Sequence, residues 1–301
     1  MKKTSPSFAG LRVTLLTALI IGSIASWDRG AIAQTHHQVT AEEVLRKALE
    51  RAESYHSISA KIRHQSDLFG RSLVGTGSYH QIGQGAEKRF RFELRMPIAL
   101  KLSTRLEVCD GEYLWVHETF GDKSQLTQID MRQVRRAVAR AKRPTGTMGA
   151  TGLLSVGGVP LMISTLQRSF DFSATATTEA ATGRRLWTLH GVWKKEVLAQ
   201  LLGDKLDKSG AGQGGRRKLP GHLPDAVTIN LGRDDFFPYE ITYLRINDDA
   251  TERQMVAIQW FAVRINESIA RRLFVYEPGN AARINGTDRF LKRLGTAARR
   301  R

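Results

Sequence analysis

From Ile58 to Ile129 the apolar side chains recur at every second position, interrupted by glycine-rich and polar punctuation. Ile58, Ala60 and Ile62 alternate with Ser, Lys and Arg. Leu73, Gly75, Gly77 and Tyr79 continue after "DLFGRS". Phe90, Phe92 and Leu94 alternate with Arg91, Glu93 and Arg95. Leu100, Leu102, Thr104, Leu106 and Val108 follow, and Tyr113–His117 and Gln125–Ile129 complete a run of about six strands. Short connections make the run an antiparallel meander, because a parallel pair needs a crossover of about a dozen residues or more. Gly70, Gly75, Gly77, Gly83 and Gly85 cluster around the second strand. Inside a strand, glycine marks a bend or bulge, and a sheet that bends strongly is an incipient barrel.

One strand departs from the alternation. Tyr113-Leu114-Trp115-Val116 is apolar on both faces. If Asp110-Gly111 is a two-residue hairpin turn, Cys109 faces Glu112, Val108 faces Tyr113 and Leu106 faces Trp115. Leu102, Leu106, Val108, Tyr113 and Trp115 then share one side, with Leu114 and Val116 on the other. Two arrangements satisfy this pattern. Either both faces are ordinary core, or one lines a cavity inside a curved sheet.

Helices flank the meander. Thr40–Tyr55, "TAEEVLRKALERAESY", carries a Thr40/Glu43 capping box and a stripe of Val44, Leu45, Ala48, Leu49 and Ala52. Met131–Lys142 returns to helical spacing, with Met131, Val134, Val138 and Ala141 on one side. Leu153–Arg168 reads as an apolar helix broken near Gly157-Gly158 and Pro160. Phe170–Ala176 and Arg185–Val192 resume strand character, Lys194–Leu206 is helical, and Ala226–Leu231, Tyr239–Asn247 and Arg253–Asn266 are three further strands. Leu273–Tyr276 is expected as a last short strand.

The 301 residues carry a formal charge of +17 and a pI near 10.4, which points to anionic surroundings. Lys2, Lys3 and Arg12, the apolar run Val13–Ala25 and the small-x-small site Ala31-Ile32-Ala33 form a secretory signal pattern. Ser23-Ile24-Ala25 is a second cleavage candidate, and retention of the run as an anchor is the alternative to cleavage. The expected organisation is a signal peptide over 1–33, one domain over 34–282 and a basic, disordered tail over 283–301. Residues 1–33 hold four Lys/Arg and one Asp, so the mature chain keeps +14; the tail supplies +6 of it. Export disfavours nucleic acid as the partner and favours anionic headgroups or an envelope protein. Arg132, Arg135, Arg136 and Arg140, with Arg216 and Arg217 in the loop "SGAGQGGRRKLPG", are the candidate basic surface.

Recognisable reaction chemistry is absent from the pattern. Gly210–Gly215 fits G-x-G-x-x-G, but it follows a helix and precedes Pro220, the wrong context for a nucleotide loop. No zinc spacing, nucleophile–base set or metal cluster stands out, and no cofactor is expected. His117-Glu118 reads as a strand end, and Asp234-Asp235 and Asp248-Asp249 as turn residues. Cys109, the lone cysteine, reads as a small buried hydrophobe. The chain is read as a non-enzyme.

The signal pattern, the helix ending near "SYHSISAKIRHQ", the segment "SLVGTGSYHQIGQGAEKRFRFEL" and above all the hairpin "LEVCDGEYLWVHE" resemble the LolA-like family of periplasmic lipoprotein carriers. That family has an Asp-Gly turn followed closely by a tryptophan, and "RRLFVYEPGNAARI" resembles its closing strand and Pro-Gly-type turn. The resemblance implies an α+β fold: a strongly curved antiparallel sheet, an incomplete half β-barrel capped by helices, with an apolar cavity for acyl chains. Phe90, Phe92, Leu102, Leu106, Val108, Tyr113 and Trp115 are the expected cavity wall. The resemblance further implies a monomeric periplasmic carrier that shields lipid or lipoprotein acyl chains. The alternative is an envelope sensor or scaffold that binds a protein through the basic surface. The family's cavity arginine near the third strand has no counterpart with its Arg-Pro pattern in "EKRFRFELRMP".

Overall fold

The computed structural model describes residues 39–294 except 69–70, 141–149, 180–181 and 203–218. The first element, α1 (Ala41–Ser54), begins at the expected cap. Thr40 Oγ1 accepts from the Glu43 N–H at 3.2 Å, and Glu43 Oε2 accepts from the Thr40 N–H at 3.0 Å. Such a cap contributes about 1 kcal/mol. Ala41, Val44, Leu45, Ala48 and Ala52 form its buried stripe.

The period-two region folds as β1 (Ser57–Leu68), β2 (Arg71–Ile82), β3 (Arg89–Ile98), β4 (Lys101–Cys109), β5 (Tyr113–Phe120) and β6 (Lys123–Asp130). Then come α2 (Met131–Arg140), α3 (Ala150–Ser169), β7 (Phe170–Thr178), β8 (Arg185–Trp193), α4 (Lys195–Leu202), β9 (Ala226–Gly232), β10 (Pro238–Ile246) and β11 (Glu252–Ile265). The last described elements are β12 (Arg283–Asn285) and α5 (Thr287–Arg293). All twelve strands join one open, curved sheet in the order β12-β6-β5-β4-β3-β2-β1-β11-β10-β9-β8-β7. Every pairing is antiparallel except β12 with β6. The helix-capped, curved antiparallel sheet expected from the LolA-like resemblance is the architecture observed.

The bending has identifiable causes. A Cβ on Gly77 would lie 1.8 Å from the Glu93 carbonyl oxygen, so only glycine lets β3 approach β2 this closely. In β11, Ala262 takes φ +49° where the register with β1 shifts, which marks a bulge.

Alternation gives the sheet an inner face, under the helices, and an outer face. Ile58, Ala60 and Ile62 of β1, Tyr79 of β2, Leu189 of β8, Ile229 of β9, Ile241 of β10 and Trp260 of β11 are buried inward with α1 and α3. The expected break in α3 falls at Gly158, where φ is +66°. Lys88 Nζ donates to the Gly157 carbonyl at 2.7 Å and ties the break to the sheet.

Three expectations need correction. Leu273–Tyr276 is not a strand: Arg271–Phe274 is a 3-10 turn, and only Phe274 of the segment is buried while Val275 is exposed. The hairpin turn is centred one residue later than expected. Asp110 Oδ1 accepts from the Glu112 and Tyr113 N–H groups, so Asp110 opens the turn rather than occupying its centre. Val108 therefore faces Trp115 and Leu106 faces His117, which leaves the face of each side chain unchanged. Residues 283–294, placed by charge in the tail, form β12 and α5. Phe290 and Leu294 bury against the core, the Gly286 N–H donates to the Gln128 carbonyl at 2.9 Å, and Thr287 Oγ1 accepts from the Asp130 N–H at 3.0 Å.

Candidate functional site: two faces of one sheet

The register divides the seven expected cavity residues between the faces. Phe90 pairs with Cys109 and Phe92 with Glu107 on the inner face, where both rings are 2% exposed and packed in the main core. Leu102, Leu106, Val108, Tyr113 and Trp115 stand on the outer face, as their alternation required. The seven therefore do not line one wall. What sequence spacing alone lacked was the β3–β4 register.

The outer face of β3–β6 is covered by the segment that follows β11. The Phe274 side chain is 1% exposed, and Val108, Trp115 and Leu126 are buried with it outside the main core. Tyr276 lies on Trp115 with ring centroids 5.6 Å apart and meets His117 edge-on. A strand covered on both faces needs apolar residues on both, which accounts for Tyr113–Val116. Leu102 remains half exposed near the strand ends.

On the inner face some apolar side chains are only partly buried. Past the buried rows, Leu73 on β2, Leu94 and Met96 on β3, Tyr243 on β10 and Val256 on β11 are half-buried apolar side chains on this face. A Cβ on Gly75 would come within 3.1 Å of Leu94 Cδ1 and 3.2 Å of Met96 Cε, so these two side chains fold over a backbone that carries none. His64 and Trp260 lie beside them on β1 and β11, and burial lowers the His64 pKa. Burial likewise raises the Tyr243 phenol.

Toward β4–β6 the inner face turns polar. Arg105, the arginine that does face inward, donates to the buried Glu107 at 2.5 Å and to Glu118. Arg89, Arg91 and Arg95 of β3 alternate with the inward residues and face outward. At the hairpin ends a depression of about 740 Å³ is lined by Ser103, Glu118, Phe120, Lys123 and Gln125 among others. Beside it Leu100 is fully exposed and Phe120 is 43% exposed, with Lys101 Nζ 5.7 Å from the Phe120 ring.

The basic surface is partly committed to structure. Arg135 Nη2 donates to the Gly111 carbonyl at 2.6 Å, and Arg132 pairs with Glu112, so α2 clamps the β4–β5 turn. Arg136 and Arg140 are exposed. Arg216 and Arg217 lie outside the described residues, as does the segment expected to be a signal peptide. Cys109 is buried, and burial pushes its thiol up to about 11, as suits an inert packing residue. Among the described residues no helix is long and apolar enough to cross a membrane.

No family model and no curated protein matches the chain. Solved structures do. A DUF1329 family protein from Desulfovibrio piger is 9% identical, over 78% of this chain and 97% of its own, with a TM-score of 0.32. MucB is 10% identical over 79% of this chain, with a TM-score of 0.38; the chain spans 62% of MucB's length. A putative outer membrane lipoprotein-sorting protein domain from Vibrio parahaemolyticus is 8% identical, over 77% of this chain and 96% of its own, with a TM-score of 0.32. Similarity at this level says nothing about what the chain binds, and the curved, helix-capped antiparallel sheet stands on the strand order and pairings described above.

Proposed function

We propose that the protein is an exported, non-enzymatic carrier that shelters the acyl chains of a lipid or lipoprotein on the inner face of its sheet. The observation that supports it most is the patch of Leu73, Leu94, Met96, Tyr243 and Val256, half-buried on the inner face of the curved sheet beside fully packed core. Exposing an acyl chain to water costs about 0.8 kcal/mol per CH₂, so a carrier must cover most of its length. Long, unbranched Met and Leu side chains over glycine suit that task, since they can move aside without breaking the sheet. The wall proposed here differs from the expected one: it keeps the inner face of β3 but replaces the outer-face residues of β4 and β5. The exposed Leu100, Leu102 and Phe120, next to Lys101 and Lys123, form an apolar rim with positive charge, suited to meeting an anionic lipid surface.

The test is lipid identification. Native mass spectrometry of the mature protein, purified from an envelope, should show one or two bound acyl-chain masses that an organic extraction releases. Protein that carries none, and takes none up from lipid vesicles, contradicts this function.

The exposed Arg136 and Arg140 on α2, which packs against α5 with its exposed Arg289, Lys292 and Arg293, favour a second reading in which a protein partner is bound through a basic surface. Reversal of Arg136 and Arg140 to Glu should then remove a pull-down partner while the fold is kept; survival of every partner counts against that surface.

A further inference from the structure

Two ring nitrogens on the inner face are buried and have no hydrogen-bond partner among the described residues: Nδ1 of His64 and Nε1 of Trp260. They belong to neighbouring strands. Ile62 pairs with Trp260 and His64 with Ile258, so the two rings are diagonal neighbours across β1 and β11, about 7–8 Å apart at their backbones. Both flank the half-buried patch of Leu94, Met96, Tyr243 and Val256. Buried polar atoms are almost always paired, so an orphan calls for an explanation, and a ligand group that supplies the missing partner is one. The packing around Trp260 is otherwise complete: the ring is 2% exposed and meets Phe237 edge-on at 6.3 Å.

We propose that Trp260 and His64 form a polar subsite that recognises the carbonyl oxygen of an acyl ester, fixing the head of the chain whose tail lies against Leu94 and Met96. The chemistry selects this group. Indole Nε1–H is a donor only, and a neutral imidazole in its Nδ1–H form is a second donor. A carbonyl oxygen has two lone pairs and no proton, so it can take both. A hydrocarbon chain offers no acceptor, and an ether oxygen, although it too has two lone pairs, is a weaker acceptor set between two methylenes, where two donors cannot converge as they do on a carbonyl oxygen that projects from the chain. Desolvation, which lowers the His64 pKa, keeps the ring neutral and suited to an uncharged ester. This subsite rests on the carrier function proposed above and adds which part of the ligand is read.

The test is a matched pair of ligands, 1-lauroylglycerol and 1-O-dodecylglycerol, which share chain length and headgroup and differ in the carbonyl. Calorimetric titration of the full mature protein should give about three- to tenfold tighter binding of the ester, the size of one or two hydrogen bonds. The Trp260→Phe and His64→Leu variants should each shrink that ratio, and the indole N–H resonance of Trp260 should move on adding the ester and stay in place on adding the ether. Equal affinity of the wild-type protein for the two ligands, or an unchanged ratio in Trp260→Phe, overturns the subsite while leaving the carrier function standing. Binding of neither ligand overturns both. The wild-type comparison needs no variant, so a folding defect in either substitution does not shelter the proposal.

Discussion

Tyr276 lies across Trp115 with 26° between the ring planes, on the face of the sheet turned away from the helices. The contact joins a residue of the fifth strand to a segment more than 150 positions later. It makes the outer face of β3–β6 an interior surface.

Removal of that cover should be costly. Phe274→Ala deletes a ring that is 1% exposed and should lower stability by about 3–5 kcal/mol. Tyr276→Ala should cost less, because the tyrosine is only half-buried, but should shift Trp115 emission to the red. Urea unfolding and tryptophan fluorescence measure the two effects; equal stability of Phe274→Ala and the parent would show that the segment does not pack as described.

The bend between β2 and β3 depends on one missing methyl. Gly77→Ala places a Cβ 1.8 Å from the Glu93 carbonyl oxygen, a backbone atom that cannot step aside. Loss of soluble expression or of several kcal/mol is the expected outcome. Gly221→Ala, with nothing within 4 Å, should be silent in the same thermal-shift assay.

Arg105 holds Glu107, whose side chain is 2% exposed. Arg105→Leu should cost about 3 kcal/mol, toward the low end for a buried pair because Arg105 itself is about a third exposed. The double variant Arg105→Leu/Glu107→Leu should regain most of the loss. A denaturation cycle over the four proteins reads the coupling, and strict additivity would refute it.

Acid should weaken the fold in two separate windows. Burial lowers the pKa of His64, and that of His80 is lowered by burial and then by Lys61 and Arg91, against Glu93. The unfolded chain, with ordinary histidines near 6.5, then binds protons that the native state refuses. The stabilisation is whole above pH 6.5 and is lost as pH falls below it toward the folded values. For His64 the slope is at most about 1.4 kcal/mol per pH unit. Asp130, held down chiefly by the Gln133 N–H, and Asp249, held down by Thr251, act only as pH falls below about 3.8. His64→Phe should make the first window shallower, leaving the share of His80, and leave the second unchanged; a profile unchanged by that substitution would contradict the burial of His64.

The sequence carried the strands because alternation in β1–β6 is written residue by residue, and it carried α1 because Thr40 and Glu43 announce the cap. The break at Gly158 was legible for the same reason, since glycine and proline are local signals. The outer-face cover was not. Phe274 and Tyr276 look like a strand, and nothing in their spacing says that they cross a distant hairpin. The division of Phe90 and Phe92 from Trp115 also escaped local reading, because it depends on pairing between β3 and β4. His64 and Trp260 were missed as a pair for the simplest reason: they lie 196 positions apart and meet only through the β1–β11 register.

Binding of a fluorescent fatty acid, 11-(dansylamino)undecanoic acid, tests the central claim most directly. The account predicts saturable binding by the mature protein, displaced by palmitate, weakened at least tenfold by Leu94→Glu or Met96→Glu on the inner face and unchanged by Leu106→Glu on the outer face. No saturable binding, or a loss produced by Leu106→Glu while Leu94→Glu and Met96→Glu bind normally, would contradict it.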